Sequence, residues 1–259
     1  MNNFKIIPPF FMNSVPKSGT HLLHQLLTGI PQLSMDISND KKKFFIDDKY
    51  FLNIKNFEDH YNRLNSLSDN EFGLGHVWFT QEYVNILKKL KMKHIFLYRD
   101  PRDVLVSMSY FILRHWKDHP FHEDFNNLAT FKERHLTLIH GVKEKWLDFY
   151  SYISPFYKWI DDKNTHHISF EELTHSVESR AQALSKLAMY LHEELTLPVD
   201  LEHIVNSMIA NNDPQTSNTF RSGKIGSWKL EFDEELKKAF KNNSGELLIK
   251  YGYEKNNDW

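Results

Sequence analysis

Residues 16–20, Pro16-Lys17-Ser18-Gly19-Thr20, bring a lysine, two hydroxyls and a glycine together in the order that anion binding asks for. The apolar run before them, Phe10–Met12, reads as a strand, and the amphipathic run after them reads as a helix. Backbone N–H groups at a helix start have no internal partner and carry the positive end of the helix dipole. Gly19 lets the backbone come close to a ligand. Lys17 adds a full charge, and Ser18 and Thr20 add hydroxyl donors. The nucleoside-triphosphatase loop is a different pattern, in which Gly and four further residues precede Gly-Lys-Ser/Thr. Here the lysine comes before the glycine. Taken alone, five residues fit equally well a strand-to-helix turn with an exposed lysine.

Other chemistry-bearing residues stand further along. Arg99-Asp100-Pro101-Arg102-Asp103 follows the apolar run His94–Tyr98. Asp100 suits an N-cap, Pro101 the first helical position, and Asp103 the first turn, where an acid complements the dipole. Phe220–Lys229 is rich in Gly, Ser and basic residues. His76 ends the short apolar run that begins at Phe72. There are 15 histidines, so a lone histidine carries little weight. His115 and His119 are one helical turn apart, but Pro120 follows and no acidic ligand is evident, so no metal is expected.

The elements that must position these residues alternate between strand and helix. Strands are predicted over the apolar run that opens at Phe10 and at 72–77, 94–98 and 165–170. Helices are predicted at 20–28, 80–90, 101–115, 127–140, 143–161 (disturbed at Pro155), 176–191 and 201–210, with two last segments flanking Gly245. The expected fold is α/β, a three-layer P-loop-like arrangement of a central parallel sheet flanked by helices. Ligands in such folds bind beyond the C-terminal ends of the strands, where Lys17, His76 and Arg99 fall. The 259 residues suit a single domain over 1–259. Within it, residues 34–70 form a polar, aromatic-interleaved excursion that reads either as a packed insertion or as an acceptor-side lid.

Composition narrows the function classes. With 41% hydrophobic residues the chain can bury a sizeable core. A formal net charge of −2 gives no global field for nucleic acid or an anionic membrane, so any anion site is local. No cysteine excludes disulfides and thiolate metal sites. No stretch of about 18 apolar residues predicts a membrane span. The first residues lack a signal peptide's charged region and apolar core, so a cytoplasmic protein is expected.

Three separated segments resemble one family, the soluble sulfotransferases that use 3′-phosphoadenosine 5′-phosphosulfate (PAPS, leaving as PAP). Pro16–Thr20 resembles their 5′-phosphosulfate loop. Tyr98–Ser107 is similar to their 3′-phosphate segment, in which an arginine and a serine eight residues later contact that phosphate. Arg221–Lys229 resembles their late Arg-Lys-Gly-x-x-Gly-Asp-Trp-Lys signature, and Tyr251-Gly252-Tyr253-Glu254 their closing Leu-Gly-Tyr-Glu. The order and spacing fit over nearly the whole chain.

The resemblance implies the following roles. Lys17, Ser18, Gly19, Thr20 and the His21 amide hold the 5′ end of the nucleotide. Arg99, Ser107, Arg221, Ser222 and Gly223 hold the 3′-phosphate, which an arginine can grip with two parallel hydrogen bonds. Lys17 also offsets charge on the leaving phosphate, and His76, in the family's base position, takes the acceptor's proton. Several positions depart from the family pattern. Leu74 stands where a lysine is common and Leu22 where a tryptophan stacks on adenine. Ser222 replaces a lysine, for which Lys224 is a substitute, and Ser227 replaces an aspartate. Phe170-Glu171-Glu172 stands for Tyr-Glu-Asp.

The implied acceptor is a hydroxyl or amine of a small molecule or carbohydrate, with no nucleic-acid partner and no assigned oligomer. Two alternatives remain beside this reading: a P-loop-type phosphotransferase, and an inactive protein that binds a 3′-phosphonucleotide.

Overall fold

The computed structural model describes residues 6–33, 45–46, 57–193, 200–213 and 223–259. Its contacts divide into two compact units. The first comprises the described residues of 1–48, 53–98 and 156–220, and the second those of 99–155 and 221–259.

The first unit holds a five-stranded, wholly parallel sheet: β1 (Phe10–Ser14), β2 (Phe45–Ile46), β3 (Phe72–His76), β4 (Lys93–Tyr98) and β5 (Thr165–Ser169), in the order β2-β3-β1-β4-β5. Side chains alternate between the two faces of a strand, and in β1 both faces are apolar. Phe10 and Met12 join a core with Leu23, Leu26 and Leu27 of α1 (Thr20–Thr28), Leu184 and Leu187 of α9 (Val177–His192), and Met208 of α10 (Leu201–Ala210). Phe11 faces the other way, into a ring cluster with Phe45, His94 and Tyr83 of α3 (Gln81–Lys89). Helices thus cover both faces, and the α/β class with a central parallel sheet is the observed one.

Gly29 ends α1 as expected, though in right-handed rather than left-handed conformation (φ −76°). Its role is close approach: a Cβ there would lie 2.7 Å from the Met208 Cα.

The second unit packs α4 (Pro101–Arg114) against α5 (His122–Asn127) and α6 (Phe131–His140), with α11 (Glu234–Lys250) on α6. Several expectations need correction. Thr130 and Glu133 form a capping box, so α6 starts at Phe131 rather than near Asn127. Residues 143–145 form a turn, and helix resumes only at α7 (Phe149–Tyr157), where Asp148 accepts from the Ser151 N–H (3.1 Å). Gly245 does not separate two helices, because α11 runs straight through it. A Cβ at Gly245 would stand 2.7 Å from Asn257 Oδ1, so this glycine serves side-chain approach and not chain reversal. The edge strand β2, inside the 34–70 excursion, was not expected at all.

Candidate functional site

β1 ends in two buried polar residues, Asn13 and Ser14, and the anion loop follows directly. Lys17 takes up a left-handed backbone (φ 69°), and Gly19, the N-cap of α1, has φ 102°. Gly19 is required twice over. Its φ disfavours any L side chain, and a Cβ would meet Phe170 Cδ2 at 2.7 Å. α1 has no side-chain cap and no acid in its first turn. Among the described residues, therefore, nothing offsets the positive dipole end carried by its leading N–H groups, those of Thr20 and the exposed His21 among them.

Ser18 departs from expectation. It is fully buried, and its hydroxyl donates to the carbonyl of Val15 (2.6 Å), with the Leu97 carbonyl at 3.3 Å. Its N–H also donates to Val15 (3.2 Å). Both Ser18 donors close the loop on itself instead of facing a ligand. The Thr20 hydroxyl lies 2.8 Å from Ser14 Oγ.

His76 sits at the C-terminal end of β3, half-buried. Its Nδ1 lies 2.9 Å from the Ser14 carbonyl oxygen and 3.1 Å from Ser14 Oγ. A carbonyl only accepts, so Nδ1 carries the proton and the neutral ring keeps its lone pair on Nε2. Burial pushes the imidazole down to about 4, the Ser14 hydrogen bond opposes that shift, and the charges of Lys17 and His21 add to it. At neutral pH His76 is therefore an uncharged acceptor within the field of the anion loop.

The next residue, Val77, is held by its backbone. Asn13 Oδ1 accepts from the Val77 N–H (2.8 Å), Asn13 Nδ2 donates to the Val77 carbonyl (2.9 Å), and Trp159 Nε1 donates to the same carbonyl (2.9 Å).

The second unit builds a separate cationic group. Arg99 is buried, pairs with Asp103 (3.3 Å) and donates to the Lys224 carbonyl (2.8 Å). Asp103 has no exposed surface. It accepts from the N–H groups of Gly226 (2.8 Å) and Trp228 (3.0 Å) and so ties the late glycine-containing turn to α4. Gly223 and Gly226 both take positive φ (61° and 71°), which the turn needs. The Arg102 guanidinium lies against the rings of both Trp228 (3.9 Å) and Trp259 (4.6 Å), which meet edge to face, and pairs with Asp100 (2.7 Å) and Glu254 (2.5 Å). That links the C-terminal Tyr251–Glu254 motif to the start of α4. Ser107 is half-buried on α4, and Arg221 and Ser222 lie outside the described residues.

The structure thus brings Lys17, Gly19, Thr20, His21 and His76 together in the first unit, and Arg99, Gly223 and the Lys224 carbonyl together in the second. Leu74 is core, and Leu22 packs against it. Exposed Lys224 offers Arg99 its carbonyl. Among the described residues no cluster of three His, Asp or Glu is placed to hold a metal ion. His119 instead accepts the Phe121 N–H at 3.0 Å. No helix among the described residues is long and apolar enough to cross a membrane.

Sequence reasoning missed Asn13 and Ser14, and it read Asp103 only as a dipole partner. Asn13 did leave a signal. A carboxamide in the buried parallel strand Phe-Phe-Met-Asn-Ser must find partners, because a buried polar group without them is costly.

Comparison with known proteins supplies the family and the fold. The family model described as "Sulfotransferase domain" matches residues 8–252. "Sulfotransferase 6B1" of Mus musculus is 26% identical over 162 residues, which is 59% of this chain and 51% of that protein. The chain therefore spans about half the length of that curated relative. The crystal structure of mouse sulfotransferase SULT7A1 complexed with PAP superposes with a TM-score of 0.58 at 19% identity, covering 95% of this chain and 88% of that one. Retinol dehydratase in a complex with retinol and PAP gives 0.58 at 17%, covering 95% and 83%. Retinol dehydratase with androsterone and PAP gives 0.57 at 16%, covering 93% and 80%. With its strand order, its anion loop and a family match over all but the ends, the chain belongs to the sulfotransferase domain family.

Proposed function

We propose that the protein transfers a sulfuryl group from PAPS to a hydroxyl of a small-molecule acceptor, with His76 as the base. When bound, PAPS supplies the sulfuryl group, whose bond to the 5′-phosphate oxygen breaks as a bond to the acceptor oxygen forms. The residues present fit that nucleotide. The uncapped, acid-free N-terminus of α1 suits its 5′ anion, and the buried Arg99 suits its 3′-phosphate. Lys17 offsets the charge that develops on the departing phosphate. Thr20, His21 and Gly19 present backbone N–H groups to the same end. Ser107, Arg221, Ser222 and Gly223 complete the 3′ assignment that the family resemblance implies.

One observation carries the base assignment: the Ser14 carbonyl holds the Nδ1 proton of His76, so Nε2 is the atom able to receive the acceptor's proton. The free imidazole is a weak base, depressed to about 4. An anion bound beside Lys17 raises it, because opposite charge favours the protonated form. The acceptor class draws support from the retinol and androsterone held by retinol dehydratase. Both favour a lipophilic alcohol over a carbohydrate.

Calorimetric titration with PAP, set against ADP with Mg²⁺, tests the nucleotide reading. Tight PAP binding with weak ADP binding is expected. Preference for ADP with Mg²⁺ overturns it in favour of a phosphotransferase.

A further inference from the structure

Asn13 has no exposed surface, and its carboxamide bonds to both sides of the candidate base. Val77 N–H can only donate, so Oδ1 must face it (2.8 Å), and this fixes which way round the amide lies. Nδ2 then donates to the Val77 carbonyl (2.9 Å). The same Oδ1 accepts from the Ser14 N–H at 3.0 Å. Val77 directly follows His76, and Ser14 supplies the carbonyl that holds His76 Nδ1.

The backbone pairing of β1 with β3 stops at Asn13 and Gly75. Beyond that rung β1 and β3 no longer pair with each other, although Ser14 still pairs with Leu97 of β4 and His76 with Ile46 of β2. The Asn13 side chain supplies the next rung by pairing with a backbone N–H and C=O as a strand would. Trp159 Nε1, itself fully buried, adds a second donor to the Val77 carbonyl.

We propose that Asn13 is a positioning residue for His76: its carboxamide fixes the Ser14 carbonyl and the Val77 peptide together, and thereby sets the tautomer and aim of the imidazole. The inference rests on the reading of His76 as the base, but its structural half stands without that reading. The geometry makes the role specific. Shifting Val77 swings the base, whereas shifting Ser14 removes the acceptor that keeps the proton on Nδ1. The anion loop is closed by Ser18, Gly19 and the start of α1, and Asn13 reaches it only through the contact of the Ser14 hydroxyl with Thr20 (2.8 Å), so nucleotide affinity should move much less than kcat.

Ring ¹⁵N and ¹³C NMR of His76 in the wild-type chain and in Asn13→Ala tests this, together with PAP calorimetry and turnover. The wild type should show the Nδ1–H tautomer and a depressed titration midpoint. In Asn13→Ala the tautomers should mix and the midpoint should move toward the ordinary imidazole value. kcat should drop about 100-fold, the scale of a base misplaced by an ångström, with PAP affinity moving much less. If Asn13→Ala does not fold, Asn13→Asp takes its place, keeping the acceptor and losing the Nδ2 donor. Unchanged tautomer and titration in the variant overturn the proposal. So does a loss of PAP affinity in step with kcat, which would mark a general structural role. A wild-type chain that shows the tautomer but no PAP binding or turnover defeats the sulfotransferase reading and leaves the positioning of His76 standing.

Discussion

Lys17 and Arg99 each follow closely on the end of a parallel strand and precede a helix, yet their surroundings are opposite. Lys17 sits on a left-handed backbone before a helix with no cap and no acid in its first turn. Arg99 precedes a helix capped by Asp100, and the first-turn acid Asp103 pairs with the arginine itself. Protein groups have already used up the positive end of α4, while among the described residues no side chain caps that of α1. An anion held by the first unit can draw on backbone dipole and strain. One held by the second must draw on a guanidinium whose place is fixed by a buried carboxylate.

The contrast assigns different losses to different substitutions. His76→Ala removes the proposed base from the open loop's neighbourhood and leaves the loop intact. Transfer should fall by about 10²- to 10⁴-fold, while PAP affinity measured by calorimetry stays as in the wild type. Substantial residual transfer would take the base role away from His76. The wild-type pH profile sharpens the same point. His76 accepts a proton only above its own pKa, so kcat/KM for PAPS should be lost as pH falls through that value. For a ring pushed down to about 4, the acid limb lies well below the ordinary imidazole range.

Asp103→Ala attacks the closed group. Arg99 loses its ion pair, and the N–H groups of Gly226 and Trp228 lose their acceptor, all in a buried setting. Stability should drop by about 3 kcal/mol, the scale of a buried pair broken on one side. Urea unfolding reads this directly. PAP affinity should fall with it, since the turn carrying Gly223 is no longer tied to α4. If stability falls and PAP binding is spared, the second unit has no part in the nucleotide site.

The two regions also differed in how much of them the sequence disclosed. The long strands were legible because apolar runs such as Phe10–Met12 and Ile95–Tyr98 have no reading but a buried parallel sheet. The two-residue β2 was not, because Phe45–Ile46 has no period to detect. Gly245 looked like a helix break because its partner, Asn257, is set by tertiary packing. The cationic and glycine positions of the site could be named from order and spacing, since anion binding is a local property of a loop and a helix start. The residues that hold them could not. Asn13 reaches Val77 across 64 positions, and Asp103 reaches Trp228 across 125. The inward turn of the Ser18 side chain to Val15 and Leu97 was equally hidden.

Lys17→Gly offers the finest separation of the two regions, because its two effects should have opposite signs. A lysine at φ 69° bears roughly 1–2 kcal/mol of backbone strain, which glycine removes. Glycine gives back about 0.5–1 kcal/mol through the greater freedom of the unfolded chain. The variant should therefore be as stable as the wild type, or more stable by up to about 1.5 kcal/mol. PAP affinity should nevertheless fall by about 1.5–3 kcal/mol, the worth of one hydrogen bond to a charged group. Urea unfolding and PAP calorimetry on the same preparation measure both. Asp103→Ala moves stability and affinity down together, because in the second unit the charge that binds is also the charge that packs. On the proposed function, the backbone strain at Lys17 serves nucleotide binding. A Lys17→Gly chain that loses stability along with affinity would show that the loop needs the lysine for its own shape, and the contrast between the two units would collapse.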